Sequence, residues 1–387
     1  MKHQLSDQYI LRKNCFERHP AITLVTVTIV LFLLIDFSAA LILQKLDLFT
    51  PAYQTTKQRD SLYRSSHTVY HHTLLPNVDY DNAEWGGATY TVRTNSLGFK
   101  DGQVREVSLQ SDKPRILITG DSFTEGVGIE YKDTFVGHIH EHFKSKGVDI
   151  LNAGVTSYSP IIHLLKTRYY LEAVGLNFDH LVVFIDLSDM EDEALGYKLD
   201  PDANITLVKG ESVGAARQMI AEPPSLKSFL NQHTVFIAQL RNLAAYLRSV
   251  FRRTEKAFDQ RRGMWTLDDA LYKEFGEQGQ TIAAEHMSQL KALLDERSIG
   301  LTIAVYPWPD QIVRRDINSR QVTFWQAWGE ENGVNVINLF PDFINDEDPE
   351  RVVKTNYIRG DVHWNKAGHK LVAERFLYYF DSKQEQK

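Results

Sequence analysis

The feature that most limits how this chain folds is "AITLVTVTIVLFLLIDFSAALIL", Ala21 to Leu43, an apolar run of 23 residues whose only charge is Asp36. At about 1.5 Å per residue, a helix over it reaches roughly 35 Å, enough to cross a hydrocarbon layer of about 30 Å. Asp36 lies past the middle, which softens the cost of about 2.5–3.5 kcal/mol that a charge meets at the centre. Lys2, Arg12, Lys13 and Arg18 precede the run, and Lys45 is the only positive residue between it and Lys57. That bias predicts a cytoplasmic tail, 1–20, an anchor, 21–43, and everything after it outside, in a periplasm or at the cell surface. The other readings are a signal peptide cleaved near Ser38-Ala39-Ala40 and a buried helix of a soluble protein. Signal peptides carry shorter apolar cores, of about 7–15 residues, which favours a retained anchor.

Composition narrows the rest. A formal charge of −7 argues against nucleic acid as the partner. Cys15, in the tail, is the only cysteine, so the exported part has neither a disulfide nor a cysteine nucleophile. Residues 44–110 are polar and aromatic-rich and close on "TNSLGFKDGQV", which reads as turns and short strands. From 111 to 387 strands alternate with helices, the pattern of an α/β fold whose parallel sheet is covered on both faces. The expected strands are Arg115–Thr119, Val148–Asn152, His180–Asp186, Gly300–Tyr306 and Val334–Leu339; the expected helices are Asp133–Lys146, Ile161–Val174 and Thr281–Arg297. Residues 190–280 read as a helical insertion, with Pro223-Pro224 ahead of a long amphipathic helix, Leu226–Arg253. Its Arg252, Arg253, Lys256, Arg261 and Arg262 form either a solvated face or a patch for phosphate or lipid headgroups.

Within the first strand-to-helix step stands "RILITGDSFTEGVG", Arg115 to Gly128. Ser122 follows the strand at the carboxyl edge of a parallel sheet, where ligands of such sheets bind. Gly120 permits a tight turn, and Asp121-Ser122 starts a segment whose backbone N–H groups are available to a developing oxyanion. A serine nucleophile needs a base and the base needs an orienting group. "YIRGDVHWNKAGH" supplies both, with Asp361 two residues before His363 in one loop. One imidazole nitrogen can take the Ser122 proton while Asp361 holds the other; the plainer reading makes Asp361 a helix cap and His363 structural. "HIHEH" puts His138 and His142 one helical turn apart with no third ligand, so neither a metal site nor a cofactor is expected.

Taken together, these segments resemble the SGNH, or GDSL-type, serine esterases and acyltransferases, from about Asn95 to the C-terminus apart from the insertion. The resemblance implies a flavodoxin-like three-layer α/β fold with Ser122, His363 and Asp361 as catalytic residues. "GDSFTEG" (120–126) is similar to the family's first block, in which the serine's own N–H is an oxyanion donor. "LNAGVTSYS" (151–159) is similar to the second, which makes Gly154 a further donor. "TNSLGFKD" (94–101) resembles a lead-in of membrane-linked members. In the third block, "VVFIDLSDMEDE" (182–193) places Ser188-Asp189 where the family offers Asn-Asp, leaving the Ser188 hydroxyl as donor and setting the Asp189 carboxylate near the oxyanion. The final Asp-x-His-Trp is similar to alginate-type polysaccharide O-acetyltransferases.

These readings converge on an anchored extracytoplasmic enzyme that works through an acyl-enzyme on O-acyl groups, foremost O-acetyl groups of cell-surface glycans, by hydrolysis or by transfer. Trp308, in "VYPWPDQ" (305–311), is either a sugar-stacking wall or a packed aromatic. The expected partners are the acylated glycan or another ester, the membrane through one helix, and an acyl donor or polysaccharide-export proteins. A lipid ester or thioester hydrolase and a binding or assembly protein of surface-polymer synthesis, lacking turnover, are the rival functions.

Overall fold

The computed structural model describes residues 18–46, 61–199, 205–207, 233–237, 239–240 and 261–384. They belong to two compact units, one formed from residues 1–56 and 222–254, the other from 57–221 and 255–387.

In the first unit, α1 (Pro20–Lys45) has the length and apolar composition to cross a membrane. Pro20 suits the first helical turn, where its missing N–H has no partner to lose. The hydroxyls of Thr23 and Thr28 donate to the carbonyls of His19 and Leu24, so these polar groups are satisfied within the helix.

The second unit opens with two hairpins. β1 (Arg64–His67) pairs antiparallel with β2 (His71–Leu74), and β3 (Asp79–Trp85) pairs with β4 (Ala88–Arg93). The second hairpin turns on Gly86-Gly87, with φ of +59° and +80°, a two-residue primed turn that matches strand twist and favours glycine at both places. This is the lead-in that the sequence reads as turns and short strands.

The sheet follows. β5 (Arg115–Thr119), β6 (Asp149–Asn152), β7 (His180–Ile185), β10 (Gly300–Val305) and β11 (Asn335–Asn338) are parallel, in the order β6-β5-β7-β10-β11. Leu117 of β5 stands opposite Leu151 of β6 and Leu181 of β7. "RILIT" and "HLVVFI" are near-continuous apolar runs because these central strands are covered on both faces, whereas the edge strands end in Asn152 and Asn338. A short antiparallel pair, β8 (Tyr197–Leu199) with β9 (Ile205–Leu207), lies between β7 and β10 in the chain. The chain runs from β5 outward to β6 and from β7 outward to β10, so the topological switch point, and with it the ligand crevice, lies between the carboxyl ends of β5 and β7.

Helices cover both faces. Ser122–Glu125 (α2) is a single turn after β5, and α3 (Phe135–Lys144) packs with α7 (Lys366–Gln384). On the other face α4 (Pro160–Tyr169), α5 (Glu277–Asp295) and α6 (Arg320–Asn332) run together. The sequence starts α3 at Asp133; the structure starts it at Phe135, because the Thr134 hydroxyl takes the N–H of Gly137 and caps the helix there. The expected insertion, 190–280, is described only in part. Residues 261–276 pack into the second unit, with Trp265 and Phe275 fully buried, while most of Leu226–Arg253, and Arg252, Arg253 and Lys256 with it, lie outside the described residues.

Candidate active site

Beyond Thr119 the chain must turn sharply, and Gly120 allows it: a Cβ there would fall 2.1 Å from the Thr124 hydroxyl oxygen. Asp121 caps α2 by accepting the Phe123 N–H at 2.9 Å. This sets Ser122 at the first helical position, where its N–H has no intrahelical acceptor.

At the other end of the sequence, Gly360, at φ +80°, leads into a tight Asx-type turn. Asp361 Oδ1 accepts the backbone N–H of His363 at 3.1 Å and faces His363 Nδ1 at 2.5 Å. Two-residue spacing is what lets one carboxylate oxygen serve both groups. With Nδ1 donating to Asp361, Nε2 is the acceptor, and it lies 2.8 Å from Ser122 Oγ. Ser122, His363 and Asp361 are thus brought into one row across the carboxyl edge of the sheet. Ser122 Oγ also lies 3.1 Å from Asp121 Oδ2. Burial, reinforced by nearby Asp186, pushes the Asp121 carboxyl well above its ordinary range.

A fourth member of the row comes from the lead-in. Trp85, at the tip of the β3–β4 hairpin, donates its Nε1–H to Asp361 Oδ2 at 3.0 Å, and its ring meets the His363 ring edge-on at 5.0 Å. Phe123 covers the imidazole from another side at 4.6 Å. Burial alone would raise the Asp361 carboxyl; the bonds from His363 and Trp85 hold it below its ordinary range. Ser122 and His363 are 7% and 9% exposed, and both line a cavity of about 270 Å³ with Trp85, Ser157, Ser188, Arg262, Trp308 and Asp361.

Other expected site residues are placed differently. The Gly154 N–H donates to Asn152 Oδ1 at 3.0 Å, and a Cβ at 154 would come within 2.6 Å of the Thr124 side chain. Its glycine serves close packing on α2, and Gly154 is not in the cavity wall. Ser157 is in that wall, with its backbone in the left-handed region at φ +61°, where a non-glycine residue is uncommon. The Ser188 hydroxyl donates to Asp186 Oδ2 at 2.5 Å and is not directed at an oxyanion. Asp189 is fully buried, accepts the Asp186 N–H, and is pushed well above the ordinary carboxyl range by burial and by Asp186; it does not line the cavity. Trp308 is only 4% exposed, with its N–H fixed on Asp186 at 2.6 Å, so it forms a rigid back wall and offers no open face for stacking. The acidic run is engaged internally: Glu191 and Asp192 pair with Arg262, and Glu193 accepts the Ile161 N–H at the start of α4.

The lead-in also sets the loops around Ser122. Arg64 donates through Nη1 and Nη2 to the two carboxylate oxygens of the buried Glu125 of α2, and Glu125 Oε2 accepts the N–H and hydroxyl of Thr156, each at 2.8 Å. Burial would raise the Glu125 carboxyl, but Arg64 holds it below its ordinary range. His72 Nε2 meets the Thr156 carbonyl at 2.6 Å while Tyr158 donates back to the His72 carbonyl at 2.7 Å. Lys100, of "TNSLGFKD", reaches the Gly126 carbonyl at 2.8 Å. These bonds span 26 to 86 residues, so local spacing in the sequence does not reveal them. The doubled glycine after Trp85 was the one available signal.

No family model and no curated protein matches the chain. Solved structures similar to it include a member of the lipolytic protein G-D-S-L family from Veillonella parvula DSM 2008 (14% identity, 69% of this chain, 98% of that chain, TM-score 0.37). TesA is similar at 9% identity over 69% of this chain and 97% of that one, with TM-score 0.38. The acetylxylan esterase Axe2 from Geobacillus stearothermophilus, as a catalytic mutant, is similar at 13% identity over 70% of this chain and 94% of that one, with TM-score 0.37. Likeness at this level carries no argument about the site, whose chemistry is read from its own geometry.

Proposed function

We propose that the chain is a serine esterase or acyltransferase that forms an acyl-enzyme on Ser122. The observation that carries this reading is the row Ser122 Oγ–His363 Nε2 at 2.8 Å and His363 Nδ1–Asp361 Oδ1 at 2.5 Å, lining one cavity. His363 takes the serine proton as Oγ attacks the ester carbonyl and returns it to the leaving alkoxide; Asp361 and Trp85 keep the imidazole oriented and favour its protonated form. Negative charge developing on the carbonyl oxygen faces the Ser122 N–H at the α2 terminus. Water or a sugar hydroxyl then attacks the acyl-enzyme, giving hydrolysis or transfer.

The small cavity walled by Trp85 and Trp308 suits a short acyl group, which favours O-acetyl esters of surface glycans over long-chain lipids. Helix α1 as a retained anchor, with the basic tail inside, sets the catalytic unit outside the cytoplasm. Replacing Ser122 with alanine should abolish aryl acetate hydrolysis while leaving unfolding free energy within about 1 kcal/mol. Retained hydrolysis by the folded variant removes Ser122 from the mechanism and leaves the binding or assembly protein as the better reading.

A further inference from the structure

Asp36, the one charge in the anchor's apolar run, is 5% exposed. Its Oδ1 accepts the backbone N–H groups of Val235 at 2.8 Å and Phe236 at 2.7 Å, and its Oδ2 accepts that of Ile237 at 3.2 Å. Residues 235–237 open a helical turn, with the Gln239 N–H on the Val235 carbonyl at 3.0 Å. The carboxylate therefore satisfies N–H groups that have no partner inside that turn, and they satisfy the carboxylate. Beside this contact, Phe236 meets Phe32 of the anchor edge-on at 5.5 Å, and His233 meets Phe37 at 5.6 Å.

Depth follows from the helix geometry. Asp36 precedes Leu43 by seven residues, which puts it about 10 Å inside the outer end of the apolar run, and Phe32 lies about 6 Å deeper. Whatever bonds to Asp36 and packs on Phe32 shares that depth. In hydrocarbon an unpaired carboxylate and three unpaired N–H groups are each unfavourable, and this arrangement leaves neither unpaired. Phe236 and Leu240 are each about half exposed, like the apolar residues along α1 itself.

We infer that the chain enters the membrane twice: residues 233–237 and 239–240 are seated in the hydrocarbon layer against the anchor, with Asp36 as acceptor for Val235, Phe236 and Ile237, and Phe236 and Leu240 against lipid acyl chains. This rests on reading α1 as a membrane-spanning helix. The chain then returns to the membrane between the two sequence segments, 57–221 and 255–387, that build the catalytic unit.

The test uses the full chain, with Cys15 replaced by serine, in vesicles of phosphatidylethanolamine and phosphatidylglycerol. Single nitroxides are placed through Leu31→Cys, Phe236→Cys, Leu240→Cys and Lys144→Cys, and their collisions with oxygen and with a water-soluble nickel complex are compared. Labels at 236 and 240 should favour oxygen, as at 31, and oppose the water-exposed label at 144. If 31 reads lipid while 236 and 240 read water, the second entry is overturned and the anchor stands. If 31 itself reads water, the anchor reading fails and this inference with it. In an Asp36→Leu background the 240 label should gain nickel accessibility by about tenfold, as for loss of charge-assisted hydrogen bonds. Unchanged accessibility overturns the role given to Asp36.

Discussion

The loops at the carboxyl edge of the sheet and the two hairpins of residues 61–110 both reach the Ser122–His363 row, but by different means. Ser122 follows β5 directly and the 360–364 turn leads into α7, so both are placed by backbone geometry: a cap, an Asx turn, a glycine where a Cβ does not fit. The hairpins and the segment after them act through side chains that cross to other elements: Arg64 to Glu125, His72 to Thr156, Trp85 to Asp361, Lys100 to Gly126. One region brings Ser122, His363 and Asp361 together, and the other bonds to the loops that carry them. The difference teaches that a segment without a motif of its own can be as close to the chemistry as the motifs.

The largest effect expected from breaking the lead-in is on stability. Arg64→Met leaves Glu125 buried without its guanidinium, and loss of one partner of a buried pair destabilises by about 3–5 kcal/mol. Denaturant unfolding of the full chain in detergent measures it; a loss below about 1 kcal/mol would show that the hairpins are not held through this pair.

Trp85→Phe sharpens the comparison at the site. It keeps an aromatic ring beside His363 but removes the bond to Asp361, worth about 1.5–3 kcal/mol for a charged acceptor, so turnover should fall about 10- to 100-fold in a protein that remains folded. The pH profile should move as well. Asp361 is held below its ordinary range in part by this bond, so its contribution is present at higher pH and lost as pH falls through its folded value. Without Trp85 that acid limb should lie at higher pH. A fall in turnover with an unmoved limb would make Trp85 a packing residue only.

The smallest effect is a slope. Burial pushes Lys166 down to about 7 and Lys100 down to about 8, both below the unfolded value, so the unfolded chain binds more protons between about pH 7 and 9. Stability should rise across that window by up to about 1.4 kcal/mol per pH unit for each proton of difference. Lys166→Met should flatten the rise, read from denaturant midpoints at three pH values; an unchanged slope would mean that Lys166 keeps its charge against the Ala153 carbonyl and the Tyr158 ring.

Much of the fold was legible because the central strands are apolar on both faces and are bounded by Gly120, Asp179, Asp186 and Gly300. Arg115–Thr119 needs no correction, and the other strands differ by a residue at their ends. Ser122, His363 and Asp361 were legible because each sits beside the turn that places it. Gly154 and Ser188 were not, since the sequence does not tell which acceptor takes an N–H or hydroxyl; Asn152 takes one and Asp186 the other. Ser157 carried no signal, because serine seldom marks a left-handed turn. Trp85 lies 276 residues from its carboxylate, a distance no spacing argument spans.

The central claim is that His363, held by Asp361, makes Ser122 a nucleophile, and the rate of labelling by a fluorophosphonate tests it most directly. The account predicts labelling at Ser122 in the wild-type chain, none in Ser122→Ala, and a rate per folded molecule at least about 100-fold slower in His363→Ala, because the serine and its base act as one unit. A folded His363→Ala protein that labels as fast as wild type would contradict it.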